Sequence, residues 1–567
     1  MKNNIAKIFH TRFLLRLVPF IVLVLVLFKV SLPYLQGGLL RTHDMEFHGA
    51  RVANYFLALK QGQFPPRWAP NLYYGMGYPV FLFMYPLPYA ASTMFFLLGF
   101  SVENSINIVM ILSIMSGALG MYLLSLVVSK KRWISLIPAL TYLLAPYSLV
   151  NMFVRGAFGE VVFFGILPWI FLLIQLKGRL RDSFRLPLFT LALALLFLSH
   201  QLSVMLAVPM ILGYILFIHP SIKKFAEVKK LLIGFILAGL LVSWFWIPMV
   251  LEKKHTDIVH QSSVVEYWKE FPSIKELFIW SKWGYGGFTP GVENEGFSKM
   301  IGPHVFFVLA VISVLALRKK KLAQLYWAFF AAGAIFLMLP YSDFLWKIVP
   351  TIQYLQFPWR LLWIVVFSTA MLLIHFISSR NSKKLGIIVL VPLIIGLGYS
   401  FLFWTHTVGT FTKTEFMWFE YPFSASAFQE NLPIWLLELK RAPQDYITFK
   451  SKENVKPEII DMVRDGTRIN YSVSLQNPTE IIHKTAYFPG WKTYVDQKEI
   501  EVQYKDEELP GLIKISVPAG EHSIKLQWTN DTWDRKLADA LSIFGVVFFF
   551  AIYFIYPVIL KKKSSRA

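Results

Sequence analysis

The chain has 567 residues, of which 56% are hydrophobic and 17% aromatic, and it carries a formal net charge of +22. This composition excludes an ordinary soluble protein, and the absence of cysteine excludes disulfides, thiolate metal sites and thiol nucleophiles. Nucleic-acid binding is disfavoured too, because the Lys and Arg residues fall mostly in short loops between apolar runs, as the positive-inside rule predicts.

Apolar runs of membrane-spanning length recur along the chain and predict a polytopic α-helical membrane protein. The first run, 13–32, has basic residues ahead of it and no small-residue cleavage site behind it, so we expect a retained signal anchor. With the runs that follow, the sequence predicts about twelve transmembrane helices. The further runs lie near 104–128, 133–150, 161–176, 186–200, 202–219, 231–250, 302–317, 324–340, 361–379, 385–404 and 538–560.

Basic clusters indicate the cytoplasmic loops, and all of them fall on one side, with both termini, if residues 79–99 do not cross the membrane. That run contains three prolines, which a helix interior tolerates poorly, and tyrosines, which favour the interface. We therefore predict a kinked juxtamembrane or re-entrant segment within an outer loop at 33–103; a complete span is the alternative. The basic clusters are Lys2 to Arg16, Lys130 to Arg132, Lys177 to Arg185, Lys223 to Lys230, Arg318 to Lys321, Arg380 to Lys384 and Lys561 to Lys563.

Residues 405–537 have the composition of a soluble domain on the extracytoplasmic face. Stretches such as 467–475 alternate polar and apolar residues between Gly-containing turns, which predicts a β-sandwich-like domain. A last transmembrane helix and a basic cytoplasmic tail follow at 538–567. The domain could be an accessory module, or it could bind carbohydrate through Trp491 and Trp528 if these side chains are exposed.

Two acids and two histidines lie just past the first span, in His43-Asp44-Met45-Glu46-Phe47-His48. If this segment is helical, Asp44 and His48 share a face and the second acid points elsewhere. A carboxylate sheltered at the membrane boundary could deprotonate a hydroxyl, or it could bind a divalent ion such as Mg or Mn together with His48. The alternative is a solvated loop in which the acids pair with Arg41 and Arg51.

Charged and polar residues also collect in other predicted outer loops. Arg155 and Glu160 flank a Gly-containing turn, where Arg155 could bind a phosphate or the two could form a structural pair. Arg360 follows Gln356 at the outer end of a span, where it could bind an anion or snorkel. His200 lies at another outer turn, where a lone histidine is more often structural than a ligand.

These stretches together resemble a known pattern. A first span followed by His43-Asp44 and His48 is similar to the GT-C superfamily of membrane glycosyltransferases. The chain resembles more closely the bacterial membrane family labelled "6-pyruvoyl-tetrahydropterin synthase-related", and its C-terminal pieces resemble the outer domain of YfhO-type proteins. The matching stretches are 43–48, 71–81, 145–147, 155–160, 198–201, 355–360, 487–491 and 518–522.

The resemblance implies a GT-C-like transmembrane module at 1–404 in the cytoplasmic membrane. Such an enzyme moves a sugar from a polyprenyl-phosphate donor to a glycan, lipid or protein acceptor on the extracytoplasmic face. It implies that Asp44 is the general base or a metal ligand, with Glu46 and His48 in support, and that Arg155 and Arg360 bind the donor phosphate. The further candidates for substrate binding are His43, Arg51, Glu160, His200 and Gln356.

Two other functions stay open: a transporter or flippase for a lipid-linked saccharide, and a non-catalytic cell-envelope assembly protein. A transporter is expected to carry ionisable residues near the middle of its spans, where they couple movement to an ion. The predicted helices contain almost none well inside them, which disfavours transport.

Overall fold

A computed structural model of the chain contains a bundle of apolar helices and a β-rich region before the last helix. The predicted tail beyond residue 555 lies outside the described residues, as do Lys223, Lys224 and Arg380 of the basic clusters. The described residues are 2–218, 225–257, 266–279, 283–285, 296–379, 383–423, 431–450 and 457–555.

The helices account for most of the part before residue 404. In chain order they are α1 (Lys2–Ser31), α2 (Met45–Lys60), α3 (Val80–Phe83), α4 (Leu87–Leu97), α5 (Val102–Ser129), α6 (Leu136–Leu144), α7 (Pro146–Val150), α8 (Phe158–Gln175), α9 (Asp182–Phe197), α10 (Gln201–Gly213), α11 (Phe225–Leu241), α12 (Ser243–Glu252), α13 (Pro303–Arg318), α14 (Leu322–Leu337), α15 (Asp343–Ile348), α16 (Pro350–Gln353), α17 (Leu362–Ser378), α18 (Lys383–Phe403), α19 (Glu415–Phe419) and α20 (Trp533–Phe550). Short 3-10 or π turns extend several of them.

Within the described ranges, seven helices are long and apolar enough to cross a membrane, or up to ten if each of three bent pairs is one span. The prediction of a polytopic helical membrane protein is confirmed. A helix stands at every predicted span, but α9 and α13 have only 16 residues each. They fall short of the roughly 20 residues that a crossing normally needs, which is why fewer candidates than twelve result.

The proline-rich run at 79–99 is divided into two short helices. α3 is 4 residues long and α4 is 11 residues long. Pro86 precedes α4, and the chain is extended at Met84 between the two helices. α4 packs against α2 and α5 rather than continuing through the bundle.

The predicted β-rich region before the last helix is confirmed, and it consists of two antiparallel sheets. One has the strand order β4-β5-β10-β7-β8 and the other β3-β6-β9. In β5 every second residue is buried, as expected for a strand with one face on a core. The strands are β3 (Ile447–Lys450), β4 (Ile459–Asp465), β5 (Arg468–Leu475), β6 (Thr479–Ala486), β7 (Trp491–Val495), β8 (Lys498–Ile500), β9 (Leu512–Val517) and β10 (Gly520–Trp528).

The expectation that Trp491 and Trp528 are exposed is wrong. They are 5% and 6% exposed, and both pack on Trp68 from the loop after α2, with ring centroids 5.6 and 4.7 Å away. Paired strands β7 and β10 place the two side chains on one face, and this face meets the helical part of the chain. These tryptophans therefore join the sheets to the bundle and are not a carbohydrate-binding surface.

A buried ion pair also fastens the β-rich region to the bundle. Arg535, at the start of α20, donates from Nε and Nη2 to the Glu252 carboxylate at the end of α12, at 2.7 and 2.6 Å. Its Nη2 also donates to the carbonyl of Pro489, 2.7 Å away, in the turn before β7. One guanidinium thus connects two helices and the sheets.

We predict that Arg535→Met lowers the free energy of unfolding by about 3–5 kcal/mol, because it leaves the Glu252 carboxylate buried without its partner. The measurement is thermal unfolding of the purified protein in detergent. Lys269→Met is the matched control, because the exposed pair of Lys269 with Glu266 is expected to contribute about 0–1 kcal/mol. Equal melting temperatures for the two variants would contradict the role of this pair.

Candidate active site

A cavity of about 500 Å³ lies at the end of the bundle beside the β-rich region. Its walls come from the start of α2, the α3–α4 link, the bend between α7 and α8, the start of α10, the end of α12 and the segment before α17. All the residues predicted for a site line it except Glu46. They are His43, Asp44, His48, Arg51, Arg155, Glu160, His200, Gln356 and Arg360.

Backbone pairing fixes the position of Asp44. Strand β1 (Leu39–Leu40) pairs with β2 (Thr410–Phe411). The amides of His43 and Asp44 then donate to the carbonyls of Val154 and Arg155, at 3.1 and 3.0 Å. Asp44 immediately precedes α2, so its carboxylate lies at the N-terminus of that helix. The local chain path, rather than a side-chain bond, aims this carboxylate at the cavity.

The Asp44 carboxylate accepts no hydrogen bond from any group in the described part of the chain, including the first turn of α2. It lies deep in the protein but faces the cavity, so part of its surface stays accessible. Burial raises the pKa of Asp44 above its ordinary value, although Arg155, His43, Arg51 and Arg360 act in the opposite direction. A carboxylate with raised pKa and free oxygens is suited to accept a proton.

Beside Asp44, Tyr89 connects two of the predicted residues. Its hydroxyl accepts from Arg51 Nη1 at 3.0 Å and contacts His48 Nδ1 at 3.1 Å. The Tyr85 ring stacks on Tyr89, with centroids 5.7 Å apart. Burial, followed by the charge of Arg51, lowers the pKa of His48 well below its ordinary value. His48 is therefore neutral and serves to hold α2 against α4.

Arg155 and Glu160 form the structural pair that the sequence left open as an alternative. Arg155 Nη1 is 2.9 Å from Glu160 Oε1, and Glu160 Oε2 accepts from Tyr147 at 2.8 Å and Asn151 at 3.0 Å. Both Glu160 oxygens are thereby occupied. The guanidinium of Arg155 also lies 4.8 Å over the ring of Trp359, which keeps its plane fixed at the cavity wall.

Arg360 retains unused hydrogen-bond donors. Its Nη1 donates to Gln356 Oε1 and to the Leu355 carbonyl, each at 3.0 Å, and the group lies 4.9 Å over Phe357. In the described part of the chain, its buried Nε has no acceptor. Gln356 therefore positions Arg360. His200 has a structural role, because its Nδ1 accepts from Ser203 and so caps the start of α10.

Glu46 is turned away from the cavity. It pairs with Lys413, whose ammonium lies over the rings of Trp418 and Tyr421. Two residues along a helix correspond to more than half a turn, so Glu46 cannot share the direction of Asp44. Its interactions hold the segment around α19 against α2, outside the cavity.

Part of the cavity lining was not predicted from the sequence. Lys253 could have been found as a cation just past the end of a predicted span, but Tyr354 and Asn431 carry no such signal. These three residues come together only through contacts between distant segments. An apolar wall completes the cavity and comprises Phe83, Met84, Leu202, Met205, Met249 and Val250.

A divalent metal does not fit these residues. Mg and Mn favour several oxygen ligands, whereas the free carboxylate here is Asp44, with three guanidinium groups around it. The Nδ1 atom of His48 contacts the Tyr89 hydroxyl, which leaves only its buried Nε2 as a ligand. Over the described ranges, no group of three or more His, Asp or Glu side chains is placed to hold an ion. The positive charges nearest to Asp44 are arginines instead.

The chain was compared with known proteins. A search of curated proteins gives no match. Among solved structures it is similar to the arabinofuranosyltransferase AftD from Mycobacteria, with a TM-score of 0.44, 16% identity and coverage of 68% of this chain and 26% of that chain. It is also similar to the oligosaccharyltransferase of Archaeoglobus fulgidus, with a TM-score of 0.36, 13% identity and coverage of 70% and 56%.

This chain thus spans about a quarter of the AftD chain and little more than half of the oligosaccharyltransferase. Likenesses of this size do not establish a shared activity.

Fold and cavity define an integral membrane protein with a polar site at one end of its helices. Residues 81–411, more than half of the chain, match the family described as the 6-pyruvoyl-tetrahydropterin synthase related domain, a membrane protein. The chain belongs to this family, as its sequence motifs predicted.

We predict that Asp44→Asn makes the protein more stable at neutral pH. Because the pKa of Asp44 is raised in the folded state, its charged form is disfavoured there, and stability falls as pH rises from the unfolded pKa of about 3.9 through the folded pKa. The gain should therefore disappear in acid. Melting temperatures of both proteins as a function of pH provide the measurement.

Asp506→Asn is the control of opposite sign. Burial raises the pKa of Asp506, but hydrogen bonds from Lys450 and from two backbone amides lower it overall. Removing that charge should cost stability at neutral pH, and the loss should vanish as pH falls through the folded pKa. If Asp44→Asn destabilises the protein at neutral pH as well, the description of the Asp44 environment is wrong.

Proposed function

We propose that this protein is an inverting membrane glycosyltransferase of the GT-C type. It moves a sugar from a polyprenyl-phosphate donor to an acceptor hydroxyl on the extracytoplasmic face of the cytoplasmic membrane. One observation carries the proposal: a single cavity combines the unbonded carboxylate of Asp44, three guanidinium groups and an apolar wall. These correspond to a base, a site for the donor phosphate and a surface for lipid.

The arginines bind the donor phosphate and stabilise it as the leaving group. Guanidinium groups bind phosphate oxygens through paired, charge-assisted hydrogen bonds. Arg360 supplies this contact with its unused donors, and Arg155 adds a second fixed charge beside it. When the bond between the anomeric carbon and the phosphate oxygen breaks, its electron pair stays on the phosphate. The arginines stabilise that charge where it develops.

Asp44 performs the proton transfer. The acceptor hydroxyl attacks the anomeric carbon while its proton passes to an oxygen of Asp44, so one bond forms as the other breaks. Within the described lining, Glu160 is the other carboxylate, and both of its oxygens are occupied. If Asp44 were instead the nucleophile of a covalent sugar–enzyme intermediate, a second free carboxylate would be needed as the base. The cavity therefore favours single displacement, with inversion at the anomeric carbon.

The direction of the helices supports the extracytoplasmic placement. α5, α8 and α17 all begin at the cavity end, and each ends at a loop rich in Lys and Arg. Such loops face the cytoplasm by the positive-inside rule. The cavity and the β-rich region then face outward, with the N-terminus inside. On the apolar side, Val250 is 45% exposed on the outer surface of the bundle, which supports access for a lipid chain.

We predict that Asp44→Asn lowers sugar transfer by about 10²–10⁴-fold, the contribution typical of a general base, while donor binding persists. Purified protein, membranes containing polyprenyl-phosphate sugars and mass spectrometry of the products provide the assay. Glu415→Gln, an exposed acid outside the cavity, is the control. Near wild-type transfer by Asp44→Asn would contradict the proposal, and lipid movement without transfer would favour a flippase.

We also predict that Arg360→Lys raises the KM for the donor by about tenfold or more, because lysine cannot replace a planar, paired contact. Steady-state kinetics at saturating acceptor measure the effect. The KM for the acceptor should change little. A fall in kcat with an unaltered donor KM would indicate that Arg360 does not bind the ground-state phosphate.

A further inference from the structure

The cavity also contains polar groups that the proposed reaction does not use. Lys253, Tyr354 and Asn431 line it together, and each comes from a different segment. The strongest charges on Asp44 come from Arg155, His43, Arg51 and Arg360. The Lys253 group is thus a second polar centre within the same cavity.

Backbone contacts fix this second centre. Thr256 pairs with Pro433 as an isolated bridge, and the amide of Asp257 donates to the Leu432 carbonyl at 3.1 Å. The ring of His255 stacks on Trp435, with centroids 5.5 Å apart. The segment after α12 and the segment that begins at residue 431 therefore form one layer, which brings Lys253 and Asn431 to the same wall.

Lys253 is a cation without an acid partner. No carboxylate in the described part of the chain lies within ion-pair distance of its ammonium, and the adjacent Glu252 is bound to Arg535. Its hydrogen-bond contact is the Tyr354 hydroxyl at 3.4 Å, and its ammonium lies 5.1 Å from that ring. These contacts with one tyrosine leave a half-buried ammonium without a counter-charge, so an anion in the cavity would stabilise it.

Asn431 supplies the independent observation that points to a ligand. It is only 2% exposed, it lines the cavity, and its Oδ1 has no partner in the described part of the chain. A buried amide oxygen without a donor is costly, so it marks a place where a hydroxyl or amide is expected. Its φ of +70° is a conformation that Asn tolerates better than most residues.

We propose that Lys253, Tyr354 and Asn431 form an acceptor subsite for an anionic saccharide, a sugar bearing a carboxylate or phosphate beside free hydroxyl groups. The ammonium and the phenol bind the anionic group, and the Asn431 amide binds a neighbouring hydroxyl. The assignment of this ligand as the acceptor rests on the proposed function. The donor phosphate remains at Arg360, so the cavity holds two anions at separate places.

Calorimetric titration of the full-length protein in detergent tests the subsite. The probes are methyl β-glucuronide, glucose 6-phosphate and uncharged methyl β-glucoside. We expect at least one charged probe to bind about tenfold or more tightly than the glucoside, and the two charged probes distinguish carboxylate from phosphate. Equal affinities for charged and uncharged sugars, or no binding of either charged probe, would overturn the proposal.

Variants locate the binding. Lys253→Gln should weaken binding of the charged probe by at least about tenfold, or about 1.4 kcal/mol, and leave the affinity for the glucoside unchanged. Asn431→Asp should weaken it too, because it adds a negative charge in a residue that tolerates positive φ. Lys254→Gln, exposed and outside the cavity, is the matched control. If the charged probe no longer binds to Arg360→Lys but still binds to Lys253→Gln, the anion binds at the donor site and the subsite is refuted.

The Asp44→Asn protein separates this proposal from the function on which it rests. It should bind the charged probe as the wild type does, while sugar transfer is lost. If transfer survives in Asp44→Asn but the probe still depends on Lys253, the proposed function fails and the subsite stands. If transfer depends on Asp44 but binding of the probe does not depend on Lys253, the proposed subsite is wrong.

Discussion

The backbone pairing of residues 39–44 is the constraint on which the cavity depends. One side of this segment is bonded to the strand at Thr410–Phe411, and its end is bonded to the carbonyls of Val154 and Arg155. These bonds tie the loop after the first helix to the bend between α7 and α8 and to the chain leading into the β-rich region. Asp44 is consequently placed by main-chain geometry, which leaves its carboxylate without a hydrogen-bond donor.

The distribution of charge follows from that placement. Glu160 accepts three hydrogen bonds, one of them from Arg155, whereas Asp44 lies near several guanidinium groups without a hydrogen bond to any of them. Burying a carboxylate in this way lowers the stability of the fold. Interactions elsewhere offset this loss, among them the Arg535–Glu252 pair and the tryptophan contacts around Trp68. An acid held in an unfavourable environment is typical of a reactive group rather than of a structural one. The cavity thus separates two carboxylates of similar chemistry: Glu160 is a structural residue, and Asp44 is the base that we propose.

Local patterns predict much of this protein, and they fail where distant segments meet. Hydropathy and loop charge are local properties. Hydropathy predicted the helices, whereas the outer position that loop charge gives to Asp44, Arg155 and Arg360 stays a prediction. Helix periodicity predicted that the side chains of Asp44 and Glu46 point in different directions. The burial of Trp491 and Trp528 could not be predicted, because it depends on Trp68, hundreds of residues earlier in the chain. The shared cavity wall of Lys253 and Asn431 could not be predicted either, because it arises only where two distant loops pair.

The central claim is that one free carboxylate, assisted by arginines that hold the leaving phosphate, transfers a sugar in a single displacement. Nuclear magnetic resonance of the product tests it most directly. The measurement uses a polyprenyl-phosphate sugar of defined anomeric configuration and follows the anomeric proton and its coupling during the first turnovers. The account predicts the opposite configuration in the product. A product that keeps the configuration of the donor would require two displacements. These need both a nucleophile and a separate base, and the described residues of this cavity offer one free carboxylate.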